Sequence, residues 1–77
     1  MLMKIKRMRD LREDCDLTQF EVGKALGLTQ RAYAYYESGE RTVPPEVLIG
    51  LAKLYGVSVD YILGIEDKKT IDKKDNV

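Results

Sequence analysis

The stretch TQFEVGKALGLTQRAYAYYESGER, residues 18–41, decides the fold. It opens on Thr18-Gln19-Phe20-Glu21. A threonine side chain can accept the backbone N–H three residues on, while the glutamate reaches back to the threonine's own N–H, and this capping box marks a helix start. Leu17 precedes the cap and can staple onto Val22. The pattern predicts a helix over residues 19–26 with Val22, Gly23 and Leu26 inward. A glycine inside a helix costs about 1 kcal/mol relative to alanine, so close approach of another helix is expected at Gly23. Gly27 supplies a sharp exit. Thr29 then caps a helix expected over residues 30–38, which Gly39 ends.

Working outward, Ile5, Met8, Leu11 and Cys15 recur at helical spacing and predict an apolar stripe on a helix over residues 4–15. Cys15 is expected to act as a small, partly buried hydrophobe. The helix should stop near Asp16, because aspartate tolerates the left-handed conformation better than most side chains. After a loop at residues 40–43, Pro44-Pro45-Glu46 is a helix start, with proline suited to the first turn and an acid to the positive end of the dipole. That helix should run to about Tyr55, with Val47, Leu48, Leu51, Ala52 and Leu54 on or near its buried side. Gly56 closes it. Ser58 caps a short helix over residues 59–63, and Gly64 stops it. No segment alternates strictly enough for a strand. The reading is an all-α bundle of five short helices over residues 1–64, followed by a charged tail, 65–77, too poor in large apolar residues to pack.

Composition narrows the chemistry. The 77 residues carry 13 Lys+Arg and 13 Asp+Glu, no histidine and one cysteine. This excludes a Cys/His zinc site and nucleophile–histidine catalysis. No glycine-rich phosphate cradle is present, so neither an enzyme nor a cofactor protein is expected. The charged opening residues leave no room for the apolar core of a signal peptide, and no run reaches the roughly 18 apolar residues of a membrane span. A single thiol fits a reducing cytoplasm. The balanced charge hides a basic cluster at Lys4, Lys6, Arg7 and Arg9, read as a solvated helix face more readily than as a DNA arm. Only one face need be basic for nucleic-acid binding.

Two helices joined by a tight glycine turn form a helix-turn-helix pattern, here about residues 19–38. With "RMRDLRED" before it and "PPEVLIGLAKLYGVSVDYILG" after it, residues 7–64 resemble the lambda-repressor-like, Cro/C1-type DNA-binding domains. At about 100° per residue, Gln30, Arg31, Ala34 and Tyr35 share one face of the third helix, while Ala32, Tyr33 and Tyr36 share the other. Tyr33 and Tyr36 are expected in the core with their hydroxyls at the bundle rim. The first face suits a major groove: glutamine can pair with adenine, arginine with guanine, and a small alanine permits close approach.

The resemblance implies base contacts from Gln30, Arg31, Ala34 and Tyr35. It implies backbone contacts from Gln19, Thr29, Arg41 and Thr42. Tyr35 serves either base or phosphate; its plainer reading is a surface tyrosine packed on Arg31. Glu40 stands where the family holds a base, which weakens the loop's grip. Phe20 stands where the family prefers a polar residue. Arg12 and Glu37 match a structural ion pair of the family. The family implies a homodimeric repressor of a palindromic operator, with Tyr61, Ile62 and Leu63 as dimer candidates; alternatively Tyr61 and Leu63 cap the core and only Ile62 is exposed. No inducer-binding or self-cleaving domain fits in the residues after Leu63: a whole protein of this length would leave regulation to concentration, degradation or a protein partner, and a fragment of a longer one would have a C-terminal effector domain beyond it. The rival reading is an antitoxin-like or anti-repressor module whose main partner is a protein.

Overall fold

The computed structural model describes residues 4–65, which contain five helices and no strand. These are α1 (Lys6–Asp14), α2 (Gln19–Ala25), α3 (Gln30–Ser38), α4 (Pro45–Tyr55) and α5 (Val59–Leu63). The expected tail lies, from residue 66 on, outside the described residues. Among the described residues no helix is long and apolar enough to cross a membrane, and no group of three or more acidic or Cys residues could hold a metal ion.

Local sequence sets each boundary. The capping box forms as read: the Glu21 N–H donates to Thr18 Oγ1 at 3.0 Å, and the Thr18 N–H donates to Glu21 Oε1 at 2.8 Å. Thr29 and Ser58 cap α3 and α5 by accepting from the Ala32 and Tyr61 amides. Pro45 stands in the first turn of α4, where a missing N–H costs nothing. Asp16 ends the α1 segment at φ 56°.

α1 is shorter than its apolar stripe. Ile5 is an extended N-cap, buried all the same, and Cys15 is the C-cap. Leaving helical geometry carries Cys15 out of the stripe, so it is exposed, contrary to the expected partial burial. Leu54 departs from its reading too, at 40% exposure: Val47 and Leu51 aim α4 at the core, and Leu54 falls on its flank. Met8, Leu11, Val22, Tyr33, Leu51, Val57 and Ile62 form the centre of the core. α2 packs along α3, α5 packs on α4 and α1, and α1 also meets α3. The described domain thus closes around the helix pair α2–α3.

Gly23 does sit at a close approach, but the neighbour is the turn, not another helix. A Cβ built there would stand 3.1 Å from the Thr29 carbonyl oxygen and 3.2 Å from that of Leu28. The Leu28 N–H donates to the Gly23 carbonyl at 2.7 Å, folding the turn back on α2. Gly23→Ala should therefore lower stability by about 1–2 kcal/mol, because crowding against backbone outweighs alanine's better helix propensity. A urea midpoint at or above that of the parent would contradict this.

Candidate nucleic-acid interface

α3 presents two unlike faces. Gln30 and Arg31 lie in its first turn, are exposed, and make no side-chain hydrogen bond or ion pair among the described residues. Ala34 and Tyr35, one turn on, are partly buried. On the opposite side Tyr33 is fully buried and Tyr36 packs partly buried against the core. The Tyr33 hydroxyl does not reach the rim as expected. It donates to Glu37 Oε2 at 2.7 Å inside the bundle. Burial first, and then this bond to a carboxylate, pushes the Tyr33 phenol well above its ordinary range.

Glu37 is the polar centre that fixes α3. Arg12 donates through Nε to Oε2 at 2.8 Å and through Nη2 to Oε1 at 3.1 Å, a two-pronged pairing of the strong, geometrically specific kind. Arg12 also donates through Nη1 to the Leu17 carbonyl at 3.0 Å. Gln19 Nε2 completes the set, donating to Glu37 Oε1 at 3.0 Å. Burial alone pushes the Glu37 carboxyl up; the hydrogen bonds from Arg12, Tyr33 and Gln19, with the Arg12 charge, outweigh it and hold the carboxyl below its ordinary value. One carboxylate thus joins α1, the start of α2 and α3. The resemblance implies Arg12 and Glu37 only; Tyr33 stands one helical turn before Glu37 on α3, while no periodicity links Gln19 to them.

Gln19 therefore holds a second role beside the expected backbone contact. One amide hydrogen is directed to Glu37, and the other donor and the carbonyl remain. Thr29 is placed similarly: its oxygen accepts from the Ala32 N–H at 3.1 Å, which leaves the hydroxyl hydrogen for an outside acceptor. Past α3, Arg41 stacks over the Tyr35 ring, 4.7 Å from its centroid, and the Arg41 N–H donates to the Tyr35 carbonyl at 3.2 Å. Tyr35 thus packs on Arg41, not on Arg31. Thr42 and Glu40 are exposed beside it.

The basic cluster of α1 is largely engaged. Lys6 pairs with Asp10 at 3.3 Å and Arg9 with Glu13 at 2.9 Å. Arg7 Nη1 donates to the Tyr61 carbonyl at 2.8 Å while its guanidinium lies 4.0 Å from the Tyr61 ring centroid, a clasp between α1 and α5. Of the dimer candidates, Tyr61 and Leu63 are partly buried and Ile62 is 1% exposed. Ile62 is thus withdrawn as a surface residue. α5 turns it into the core with Val57, the reverse of the alternative in which it alone faced outward. Phe20 is 55% exposed.

A family model described as helix-turn-helix matches residues 8–62. The chain is 40% identical over 65 residues to the HTH-type transcriptional regulator YobD of Bacillus subtilis (strain 168), covering 84% of this chain and 58% of that one. It is 33% identical over 63 residues to antitoxin PezA of Streptococcus pneumoniae serotype 4 (strain ATCC BAA-334 / TIGR4), covering 82% of this chain and 39% of that one. The chain spans less than two thirds of the length of these curated relatives. Among solved structures, the P22 c2 repressor in complex with a synthetic operator superposes with a TM-score of 0.73 at 28% identity, covering 83% of this chain and 98% of that one. With the cap, the glycine turn and the outward face of α3 all in place, the chain belongs to the lambda-repressor-like, Cro/C1-type helix-turn-helix family.

Proposed function

We propose that the chain is a sequence-specific DNA-binding transcription regulator, a cytoplasmic repressor whose two copies read the halves of a palindromic operator. The observation that carries this is the division of α3: Tyr33 and Glu37 anchor one side in the bundle, while Gln30 and Arg31 stand exposed on the other, their side chains unpaired among the described residues. Exposed polar side chains with no partner among the described residues are available to base edges. In the major groove Gln30 pairs with adenine N6 and N7, Arg31 with guanine O6 and N7, and Ala34 meets a thymine methyl. Tyr35, braced by Arg41, lies at the edge of the reading face. The Thr29 hydroxyl, the spare Gln19 donor, Arg41 and Thr42 face the phosphates, fixing register rather than sequence. Half-sites one helical turn apart, roughly 34 Å, suit a two-fold pair of such helices. Repression follows from occupying a promoter and excluding polymerase. The P22 c2 repressor's operator complex supports the DNA reading; the likeness to PezA supports the second one, a module whose main partner is another protein.

Selection of bound duplexes from a random pool tests the proposal. The expected result is an enriched two-fold-symmetric motif. Gln30→Ala and Arg31→Ala should then each relax preference at one base position, by about 1–3 kcal/mol, without loss of helicity. If no sequence is enriched, the protein-partner reading takes its place; if both variants keep the parent's profile, the base assignments are wrong.

A further inference from the structure

Phe20 is a large apolar side chain turned to solvent, outside the core cluster, at a position where the family prefers a polar residue. Its place on α2 follows from the residues around it. At about 100° per residue, Gln19 lies about 60°, Gly23 about 100° and Phe20 about 160° from Val22, all to the same side. Val22 is fully buried. Gly23 is where the turn comes in, since a Cβ there would stand 3.1 Å from the Thr29 carbonyl oxygen. Phe20 therefore edges the flank of α2 that begins at Gln19 and meets the turn at Thr29, the two residues of the helix pair assigned above to the DNA backbone. Its exposed neighbours along α2, Glu21 and Lys24, are charged. The ring is thus a lone apolar spot, not part of a patch of the size that marks a protein interface.

We infer that Phe20 is a further DNA-contacting residue, whose ring lies on a deoxyribose of the operator backbone beside the phosphate met by Gln19. A duplex backbone alternates charged phosphates with sugars whose outer edge is C–H. Gln19 and Thr29 offer hydrogen bonds to the phosphates, and a phenyl beside them offers the sugar an apolar face of matching size. Such a contact neutralises no phosphate and reads no base edge. It fixes position rather than sequence, and the affinity it adds releases no counterion, so it does not vary with salt. In exchange for the hydrogen bond that a polar residue could make at this point, the ring removes apolar surface from water on both partners. The inference deepens the proposed function and rests on its DNA reading.

Binding of the selected duplex by the full chain, compared between the parent, Phe20→Ala and Phe20→Leu, tests it. Phe20→Ala should weaken binding by about tenfold for each copy bound, while Phe20→Leu, which keeps most of the apolar area, should stay within about threefold of the parent. The loss should be the same at about 50 and 200 mM salt, and the selected motif should not change. Hydroxyl-radical footprinting at saturating protein reads the sugars one by one. The parent should protect about one or two deoxyriboses in each half-site that Phe20→Ala leaves open, with the rest of the footprint unaltered. Circular dichroism should show unchanged helicity for both variants, the position being exposed. A Phe20→Ala chain with the parent's affinity and footprint, as expected if the ring serves a protein partner, overturns the inference and leaves the DNA reading standing. So does a loss that fades with salt, that leucine fails to restore, or that leaves the sugar footprint intact. A parent that binds no duplex overturns the DNA reading and the inference with it.

Discussion

Glu37→Ala should bring the domain close to its unfolding midpoint at 25 °C. The substitution strands the Arg12 guanidinium, whose side chain is only 14% exposed, and leaves the buried Tyr33 hydroxyl without its acceptor. Removing one partner of a buried ion pair costs about 3–5 kcal/mol. At roughly 0.05–0.15 kcal/mol per residue, a domain of this size has about 3–9 kcal/mol in all. Urea denaturation followed by circular dichroism reads the result directly. Glu37→Gln should recover little, because one of its two head atoms is a donor set against the donors of Arg12. A midpoint within experimental error of the parent for both variants would show the cluster to be energetically idle.

The same carboxylate predicts the acid limb of stability. In the folded chain it titrates below its ordinary value of 4.5, so folding stabilises the charged form. That contribution is complete above the ordinary value and is lost as pH falls through the folded one. Stability should therefore drop below about pH 4.5 in the parent. The drop should be shallower in Glu37→Gln, which starts lower but has no proton to gain at this site.

The second large effect is on DNA affinity. If a dimer neutralises roughly six to ten phosphates, affinity for the selected duplex should fall about 10³–10⁵-fold between 50 and 200 mM salt. The formal net charge of the chain is zero, so this slope cannot come from overall attraction and must come from local contacts. Arg41→Ala should flatten the logarithmic slope by about one for each copy bound, with little change in base preference. Fluorescence anisotropy across a salt series measures both. Affinity that barely responds to salt would rule out the backbone contacts assigned to Gln19, Thr29, Arg41 and Thr42.

Most of the fold was legible because its boundaries rest on local chemistry. Thr18, Thr29 and Ser58 cap three helices, Pro45 opens the fourth, and Gly39, Gly56 and Gly64 adopt left-handed conformations where helices end. What was misread depends on distant geometry. Ile62 belongs to the core because α5 folds back on α1 and α4, a fact absent from the three adjacent apolar residues themselves. Gly23 reads as a close-approach site, but the carbonyls of its own turn were not foreseeable as the neighbour. For the site, the outward placement of Gln30 and Arg31 follows from periodicity. The joining of Gln19 to Glu37 does not, since it runs between two helices, whereas Tyr33 stands four residues before Glu37 on α3. Cys15 was misplaced by extending the stripe of α1 one residue past the point where the helix ends.

Gln30 and Arg31 touch nothing else that the described fold needs, and this has a consequence for how such a regulator can change. Exposed positions away from special features tolerate replacement at about 0.5 kcal/mol or less. On the proposed base-reading role, new operator preferences could therefore be fitted at these two positions while the scaffold beneath stays as it is, much as a bit is changed in a fixed chuck. Lineages that diverge in their target genes need not first acquire spare stability to do so.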